Sequence, residues 1–263
     1  MARSALLNVM VDAVRKAARS LTRDFGEVEN LQVSIKGPGD FVSAADRRSE
    51  EILKQELTRA RPSYGFLFEE QGVVEGTDSQ QRWIIDPLDG TTNFLHGMPQ
   101  FAISVALDRH GQLVAGVVYN PIADELFVAE RGGGAFVNDR RLRVANRQNL
   151  HDSVIATGIP FIGHGDHQKY LTQQRAVMAE VAGIRRFGAA SLDLAWVAAG
   201  RFDAFWEIGL HPWDVAAGIV LIREAGGFVT DINGGDKMLE TGSILCGNEV
   251  MHRKLGALLA KAE

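Results

Sequence analysis

The chain has 263 residues, a hydrophobic fraction of 46%, a charged fraction of 23% and a formal net charge of −5. These values are typical of a globular protein with a full core, and the mild acidity excludes a global field that would attract nucleic acid or an anionic membrane. No apolar run approaches the ~20 residues of a membrane span, and no signal-peptide core is present near the N-terminus. The single Cys246 excludes a disulfide framework and a cysteine-rich zinc site. We therefore expect a cytoplasmic protein with no membrane partner.

Two helices are predicted at the start of the chain. Apolar residues recur at helical spacing over residues 3–24, with arginines between them, which predicts a docked first helix rather than a transit peptide. A second helix is predicted from near Asp46 to Ala60. Asp46 either complements the start of this helix or orients a hydroxyl group or a water, and the local sequence does not separate these roles.

The next two strands end in acidic residues. Apolar residues 66–68 predict a strand that is followed by Glu69 and Glu70, of which Glu69 is the candidate ligand. Residues 72–81 are polar and predict a mobile loop. A buried strand at residues 83–85 is expected to end abruptly at Asp86-Pro87-Leu88-Asp89-Gly90-Thr91-Thr92, since proline has no backbone donor and restricts the residue before it.

Asp86 and Asp89 are thus expected on a stiff turn just past a strand end. The turn contains no basic residue, so their negative charges are costly unless a cation joins them. Hard cations such as Mg²⁺ prefer oxygen ligands, and the Gly-Thr-Thr that follows offers N–H and hydroxyl donors to a phosphate. The stretch indicates metal-assisted phosphoryl chemistry; the alternative is that Asp-Pro and Asp-Gly are ordinary turn pairs.

The remaining chain predicts further strands and helices. Three strands of an antiparallel meander are predicted at residues 101–107, 113–119 and 126–130, followed by a hairpin turn at 131–134. Small residues at 188–191 open a predicted helix and allow close approach of a ligand to the backbone. Glu207 and Asp214 are expected to follow a strand at 202–206, with Asp214 at a helix start, and Cys246 is expected to pack in a core strand.

Three segments together resemble the inositol monophosphatase family, and in particular its bacterial inositol-1-monophosphatase branch. They are Glu69-Glu70, the run Trp83-Ile84-Ile85-Asp86-Pro87-Leu88-Asp89-Gly90-Thr91-Thr92-Asn93-Phe94, and Trp213-Asp214-Val215-Ala216-Ala217-Gly218 leading into Glu224-Ala225-Gly226-Gly227. The resemblance implies an α+β fold, a layered αβαβα sandwich of the sugar-phosphatase type. It also implies one domain whose active site lies between an N-terminal half of about residues 1–148 and a C-terminal half of about residues 149–263.

The resemblance implies a metal-dependent reaction. Glu69, Asp86 and the carbonyl of Leu88 would hold a first Mg²⁺, while Asp86, Asp89 and Asp214 would hold a second, with two or three ions per site. Thr91, paired with Asp46, and Glu69 would position and help deprotonate the attacking water.

It also implies a substrate pocket for inositol 1-phosphate. Gly90 and Thr91 would donate to the phosphate, and Glu207 would bind inositol hydroxyls. The same pocket would be lined by Gly188, Ala189, Ala190, Asp89 and Asp214. Li⁺ sensitivity and a homodimer are further implications.

Two alternatives stay open at this point. The same metal motif serves phosphatases that act on fructose 1,6-bisphosphate, histidinol phosphate or nucleotides, although Glu207 and the short chain favour a small polyol phosphate. Some bacterial relatives also act as RNA-polymerase-associated or ribosome-biogenesis factors, which makes RNA polymerase a candidate partner.

The sequence departs from the family pattern at two positions. Phe68 stands where the family usually has a small residue, so it would shift the Glu69 loop or narrow the metal entrance. Ala189 stands where family members often have Ser or Thr, which bears on substrate preference.

Overall fold

The computed structural model describes residues 3–27, 33–37 and 40–262 of the chain. The helices are α1 (Ala5–Phe25), α2 (Ala44–Ala60), α3 (Thr91–Leu95), α4 (His167–Met178), α5 (Ala190–Ala198), α6 (Pro212–Glu224), α7 (Met238–Thr241) and α8 (Glu249–Lys261). The strands are β1 (Val33–Gly37), β2 (Asp40–Ser43), β3 (Tyr64–Phe68), β4 (Gly72–Val74), β5 (Asp78–Asp89), β6 (Ala102–Arg109), β7 (Gln112–Asn120), β8 (Glu125–Glu130), β9 (Gly134–Val137), β10 (Arg140–Arg141), β11 (Val154–Thr157), β12 (Gly183–Arg185), β13 (Ala204–Ile208), β14 (Phe228–Thr230) and β15 (Ser243–Gly247).

The strands form two large sheets and a small hairpin of β1 and β2. The larger sheet has the order β10-β9-β8-β7-β6-β5-β3-β4, and it is antiparallel except where β3 pairs with β5. The smaller sheet has the order β12-β11-β13-β15-β14, with β11 parallel to both of its neighbours. The predicted meander is confirmed as β6, β7 and β8.

Alternating side chains on each sheet pack against different helix layers, as the period of two in a strand requires. Trp83 and Ile85 on β5 pack with apolar residues of α1 and α2, whereas Ile84 packs with residues of α5 and α6. On β13, Phe205 faces α5 and α6, while Trp206 faces α4 and α8. The layer order is therefore helix, sheet, helix, sheet, helix, which confirms the predicted αβαβα sandwich. The division of the chain near residue 148 stays a prediction.

Three local predictions are wrong. Residues 72–81 are not a loop: β4 pairs with the end of β3, and β5 already begins at Asp78. The strand does not end before the acidic motif either, since β5 continues through Pro87 to Asp89. Its pairing with β6 is irregular between Asp86 and Asp89, which accommodates a proline that has no ladder donor. Glu207 likewise lies within β13, where it pairs with Ile244, rather than after the strand.

The glycine-rich segment 131–134 is a hairpin turn between β8 and β9, as predicted. The N–H groups of Gly132 and Gly134 donate to the two carboxylate oxygens of Glu224 at 2.9 and 2.7 Å. The loop therefore binds an anion from its own chain, at the end of α6. Cys246 is fully buried in β15, as expected for a packing residue.

Among the helices that the structure describes, none has both the length and the apolar character needed to cross a membrane.

Candidate active site

One cavity of about 310 Å³ gathers nearly all of the predicted site residues. The end of β3 and the end of β5 with the turn after it contribute Glu69, Asp86, Leu88, Asp89, Gly90 and Thr91. The second sheet and its helices contribute Gly188, Ala189, Ala190, Glu207 and Asp214. Asp46 does not line the cavity; it is fully buried, and its carboxylate accepts a hydrogen bond from the Thr91 hydroxyl. The cavity thus lies between side chains that are far apart in the sequence.

The irregular end of β5 is held by hydrogen bonds on both sides of Pro87. The Leu88 N–H donates to Asp86 Oδ1 at 2.9 Å, and the buried Ser49 hydroxyl donates to the Pro87 carbonyl at 2.8 Å. Asp86 is 2% exposed and Asp89 is 8% exposed. Both carboxylates are therefore fixed by the backbone around them rather than free to move in solvent.

Gly90 turns the chain into α3 with a positive φ of 88°. A Cβ at this position would lie 2.8 Å from the Gln100 carbonyl oxygen, so glycine is required by both conformation and space. Thr91 opens the short helix, and its hydroxyl lies 2.9 Å from Asp46 Oδ1 and 3.0 Å from the Leu88 carbonyl.

Asp46 fulfils both of the roles that the sequence left open. Its Oδ2 accepts from the Ser43 N–H at 2.9 Å while its own N–H donates to Ser43 Oγ at 3.4 Å, which forms a capping box at the start of α2; the Ser43 hydroxyl also donates to Oδ2 at 2.5 Å. Its Oδ1 contacts the Thr91 hydroxyl. Burial raises the pKa of Asp46, and the hydrogen bonds from Ser43 and Thr91 oppose that rise. One carboxylate therefore links α2 to the cavity wall.

Asp89 and Asp214 each complement a helix start. Asp89 Oδ2 accepts from the N–H of Ser191 at 2.7 Å and from its hydroxyl at 2.5 Å, at the beginning of α5. Asp214 is the third residue of α6, and its Oδ2 accepts from the His211 N–H at 2.7 Å in a second capping box. The positive ends of both helices thus favour negative charge at the cavity.

The acids in the cavity raise one another's pKa. Burial raises the pKa of Asp86, and the charges of Glu69, Asp89 and Asp214 raise it further. Burial also raises the pKa of Asp89 to about 6, although Ser191 and backbone N–H groups at the start of α5 oppose this. The pKa of Asp214 is raised first by burial and then by Asp89. The site is therefore short of positive charge.

Glu207 lies in the same cavity and is packed against the backbone of Gly158. A Cβ at residue 158 would lie 1.7 Å from Glu207 Oε1, so only glycine leaves room for this carboxylate. Burial and the charge of Asp89 raise the pKa of Glu207 to about 8, while Arg186 lowers it.

Sequence reasoning missed Asp193, Arg186 and three residues at 158–161 that also line the cavity. Asp193 is 1% exposed, and its pKa is raised well above the usual range by burial and by Glu207. A signal was present, because Asp193 is the one charged residue in the otherwise apolar helix α5. Ser191, which does not line the cavity, was noted only as a small residue.

The donor set suits a hard divalent cation. Carboxylate oxygens and a backbone carbonyl are the ligands that Mg²⁺ takes, and a cation would offset the charges that raise these pKa values. No three His, Cys, Asp or Glu side chains in the ranges 3–27 and 43–262 are already grouped as a ligand set. The fit therefore rests on donor chemistry.

Phe68 does not narrow this cavity, contrary to the expectation from sequence. Its side chain is fully buried in the core beneath α2 and stacks on Phe66 with ring centroids 4.8 Å apart. Glu69 follows it into the cavity, with its N–H bonded to the Ile85 carbonyl at 3.2 Å. The larger side chain at 68 therefore fills the core and leaves Glu69 in place.

Known proteins match this chain over nearly its full length. A model described as the inositol monophosphatase family matches residues 2–263. The chain is 67% identical over 255 residues to an inositol-1-monophosphatase of Mesorhizobium japonicum, covering 97% of this chain and 96% of the relative. It is 44% identical over 247 residues to the Nus factor SuhB of Pseudomonas aeruginosa, covering 92% and 91%. The crystal structure of the extragenic suppressor protein suhB from Bartonella henselae superposes with a TM-score of 0.96 at 61% identity, covering 98% of this chain and 99% of that one. A family match of this extent, with relatives this similar, shows that the chain belongs to the inositol monophosphatase family.

Proposed function

We propose that the protein is a Mg²⁺-dependent phosphomonoesterase that hydrolyses inositol 1-phosphate, or a related small polyol phosphate, by direct attack of water. The observation that supports this most is the meeting of four acids, Glu69, Asp86, Asp89 and Asp214, in one cavity opposite Glu207. Four carboxylates at one place are costly for folding and are expected where they serve chemistry.

The metal ligands follow from the donor set. Glu69, Asp86 and the Leu88 carbonyl would hold one Mg²⁺, and Asp86, Asp89 and Asp214 a second. When bound, the ions would lower the pKa of water and stabilise the leaving oxygen.

The chain's own groups position the reactants. The Thr91 hydroxyl donates to Asp46, so its lone pairs are free to accept a hydrogen bond from the attacking water. The proton of that water would pass to Glu69, or to Asp46 through the Thr91 hydroxyl, which would give up its own proton. Gly90 and Thr91 would donate to the phosphate. No covalent enzyme intermediate is needed, because positioning and charge stabilisation suffice for this reaction.

The far wall of the cavity would select the alcohol part of the substrate. Glu207 is a half-buried acceptor that suits hydroxyl groups, and the turn of Gly188, Ala189 and Ala190 leaves space for a ring. Ala189 offers no hydroxyl there and is 1% exposed. These features favour a polyol over a nucleotide.

The test is phosphate release from a panel of phosphomonoesters, with Mg²⁺ and with a chelator. The panel contains inositol 1-phosphate, fructose 1,6-bisphosphate, histidinol phosphate and a nucleotide. We expect Mg²⁺-dependent release with a clear preference for inositol 1-phosphate. A preference for another phosphomonoester of the panel would change the assigned substrate. Phosphate release that persists in the presence of the chelator would contradict the metal-dependent mechanism.

We also propose that the protein is a homodimer. The segment after β11 and the following helix α4 expose large apolar side chains, namely Ile159, Phe161, Ile162, Leu171 and Met178. Exposed apolar surface of this kind is typical of an interaction site. Sedimentation equilibrium would show a single species of twice the chain mass, and a monomer at micromolar concentration would contradict the proposal.

A second role in association with RNA polymerase is favoured by one observation. The relative from Pseudomonas aeruginosa that is 44% identical is named a Nus factor. Binding of purified RNA polymerase to the purified chain would support this role, and no binding at micromolar concentrations would count against it.

A further inference from the structure

Ser191 makes an unusual pair of contacts with Asp89, a carboxylate that lies 102 residues earlier in the chain. Its backbone N–H and its hydroxyl both donate to the same oxygen, Asp89 Oδ2, at 2.7 and 2.5 Å. Ser191 is itself completely buried and Asp89 is 8% exposed, so water does not compete strongly for these bonds. Neither of the two bonds uses Oδ1.

The two donors do different work. The residue that caps α5 is Ala189, whose side chain makes no capping hydrogen bond. A backbone N–H at the helix start, which has no partner within the helix, therefore needs another acceptor. Asp89 supplies that acceptor through the Ser191 N–H. The helix start is therefore served by backbone N–H groups that act on Asp89, those of Ser191 and of its neighbours Ala190 and Leu192, and the hydroxyl bond is additional.

The additional bond acts on the carboxylate. The hydroxyl bond adds to the backbone N–H groups of Ala190, Ser191 and Leu192 that also act on this carboxylate, so it further limits the rotation of the carboxylate plane. Asp89 is also the acid that joins the end of β5 to the start of α5, and it lines the cavity. A fixed plane would therefore present Oδ1 to the cavity in one orientation.

We infer that Ser191 is a positioning residue: its hydroxyl holds Asp89 so that Oδ1 is presented to the bound cation. This inference rests on the proposed function, because it takes Asp89 to be a metal ligand. Residues that orient metal ligands without touching the metal typically contribute about 10–100-fold to metal affinity or activity.

Ser191→Ala tests the inference because it removes the hydroxyl and keeps the N–H. Alanine is also the better helix former, so α5 is not weakened by the exchange. Ser153→Ala is the matched control: Ser153 is equally buried, and its hydroxyl donates to the Leu150 carbonyl at 2.7 Å, away from the cavity.

Mg²⁺ binding to the full chain is measured by isothermal titration calorimetry, and the Mg²⁺ concentration for half-maximal phosphate release is measured alongside. We expect Ser191→Ala to bind Mg²⁺ about 10-fold more weakly or worse, with circular dichroism unchanged, and Ser153→Ala to match the wild type. Equal or tighter binding by Ser191→Ala would overturn the inference, and so would loss of its fold, which would make Ser191 a structural residue. If the wild-type chain binds no Mg²⁺, the proposed function itself fails. If the wild-type chain binds Mg²⁺ and Ser191→Ala binds it equally well, only the inference about Ser191 fails.

Discussion

Gly158→Ala is predicted to impair the enzyme through Glu207. The new Cβ would lie 1.7 Å from Glu207 Oε1 and 1.9 Å from its Cδ, whereas ordinary contacts begin at 3.4 Å. The carboxylate therefore has to move by roughly 1.5 Å or more. It can do so by rotating its own side chain, so the fold should survive while the acceptor leaves its place.

The size of the effect follows from the bond that would be lost. Because the pKa of Glu207 is raised to about 8, the group is largely uncharged at pH 7, and its hydrogen bond contributes about 0.5–1.5 kcal/mol, which corresponds to roughly 2–10-fold in kcat/KM. We expect a loss of this size with inositol 1-phosphate. With p-nitrophenyl phosphate, whose leaving group has no hydroxyls for Glu207 to bind, we expect little change.

Two further variants make the test decisive. Gly26→Ala, at the end of α1, adds a Cβ that meets only an ordinary contact at 3.4 Å and should leave both substrates unaffected. In the Glu207→Ala background, Gly158→Ala should add nothing, because the group that it displaces is already gone. An equal loss with both substrates, or an additive loss in the double variant, would refute the reasoning.

Four other outcomes are expected. Asp89→Asn should abolish phosphate release while leaving circular dichroism little changed, because Asn keeps a carbonyl oxygen for the Ser191 N–H; retained turnover would contradict the two-metal account. Mg²⁺ at about 100 times its Kd should stabilise the wild-type chain by about 2.7 kcal/mol, or roughly 5–10 °C in Tm, and Asp214→Asn should lose most of that shift; a flat wild-type Tm would count against a cation site. Millimolar Li⁺ should inhibit, as the family resemblance implies, and insensitivity would indicate an altered second site. Cys246 is fully buried, and burial raises the pKa of its thiol, so alkylating reagents should modify it only after unfolding; rapid labelling of the native chain would contradict its place in β15.

Local patterns were enough to predict most elements of the fold. The apolar spacing of α1 matches its buried face, and the apolar runs of β6, β7 and β8 match their buried positions in the larger sheet. Short strands were missed where pairing rather than pattern creates them. β4 has three residues, one of them glycine, and it is a strand because it hydrogen-bonds to β3. Val73 and Val74 favour a strand, but two such residues next to a glycine and a polar stretch are too few to predict one.

The acidic motif at residues 86–89 shows a second limit of what the sequence can predict. Pro87 predicts a break, because a proline removes a ladder donor, yet β5 continues past it with an irregular register. The side chains Asp86 and Asp89 were nevertheless placed correctly at one cavity, since the family motif specifies the acids whatever the strand does. The contacts of the acids depend on the resemblance rather than on local pattern. The Thr91–Asp46 pair, 45 residues apart, follows from the resemblance and is present in the structure, whereas the Ser191–Asp89 contact, 102 residues apart, was not predicted.

The cavity departs from the general rule that buried charges in a folded protein are paired. Several buried acids elsewhere in the described residues are paired with a cation, as in the bond from Arg147 to Asp203 at 2.7 Å, whereas burial and neighbouring acids raise the pKa of Asp86 and Asp214. Such a cluster opposes folding and is retained only if something offsets its charge. Two helix starts, at α5 and α6, supply part of that offset through Asp89 and Asp214. The helix dipoles and hydrogen bonds still leave the pKa of Asp89 raised to about 6, so they offset only part of the negative charge in the cavity. A divalent cation would offset the rest.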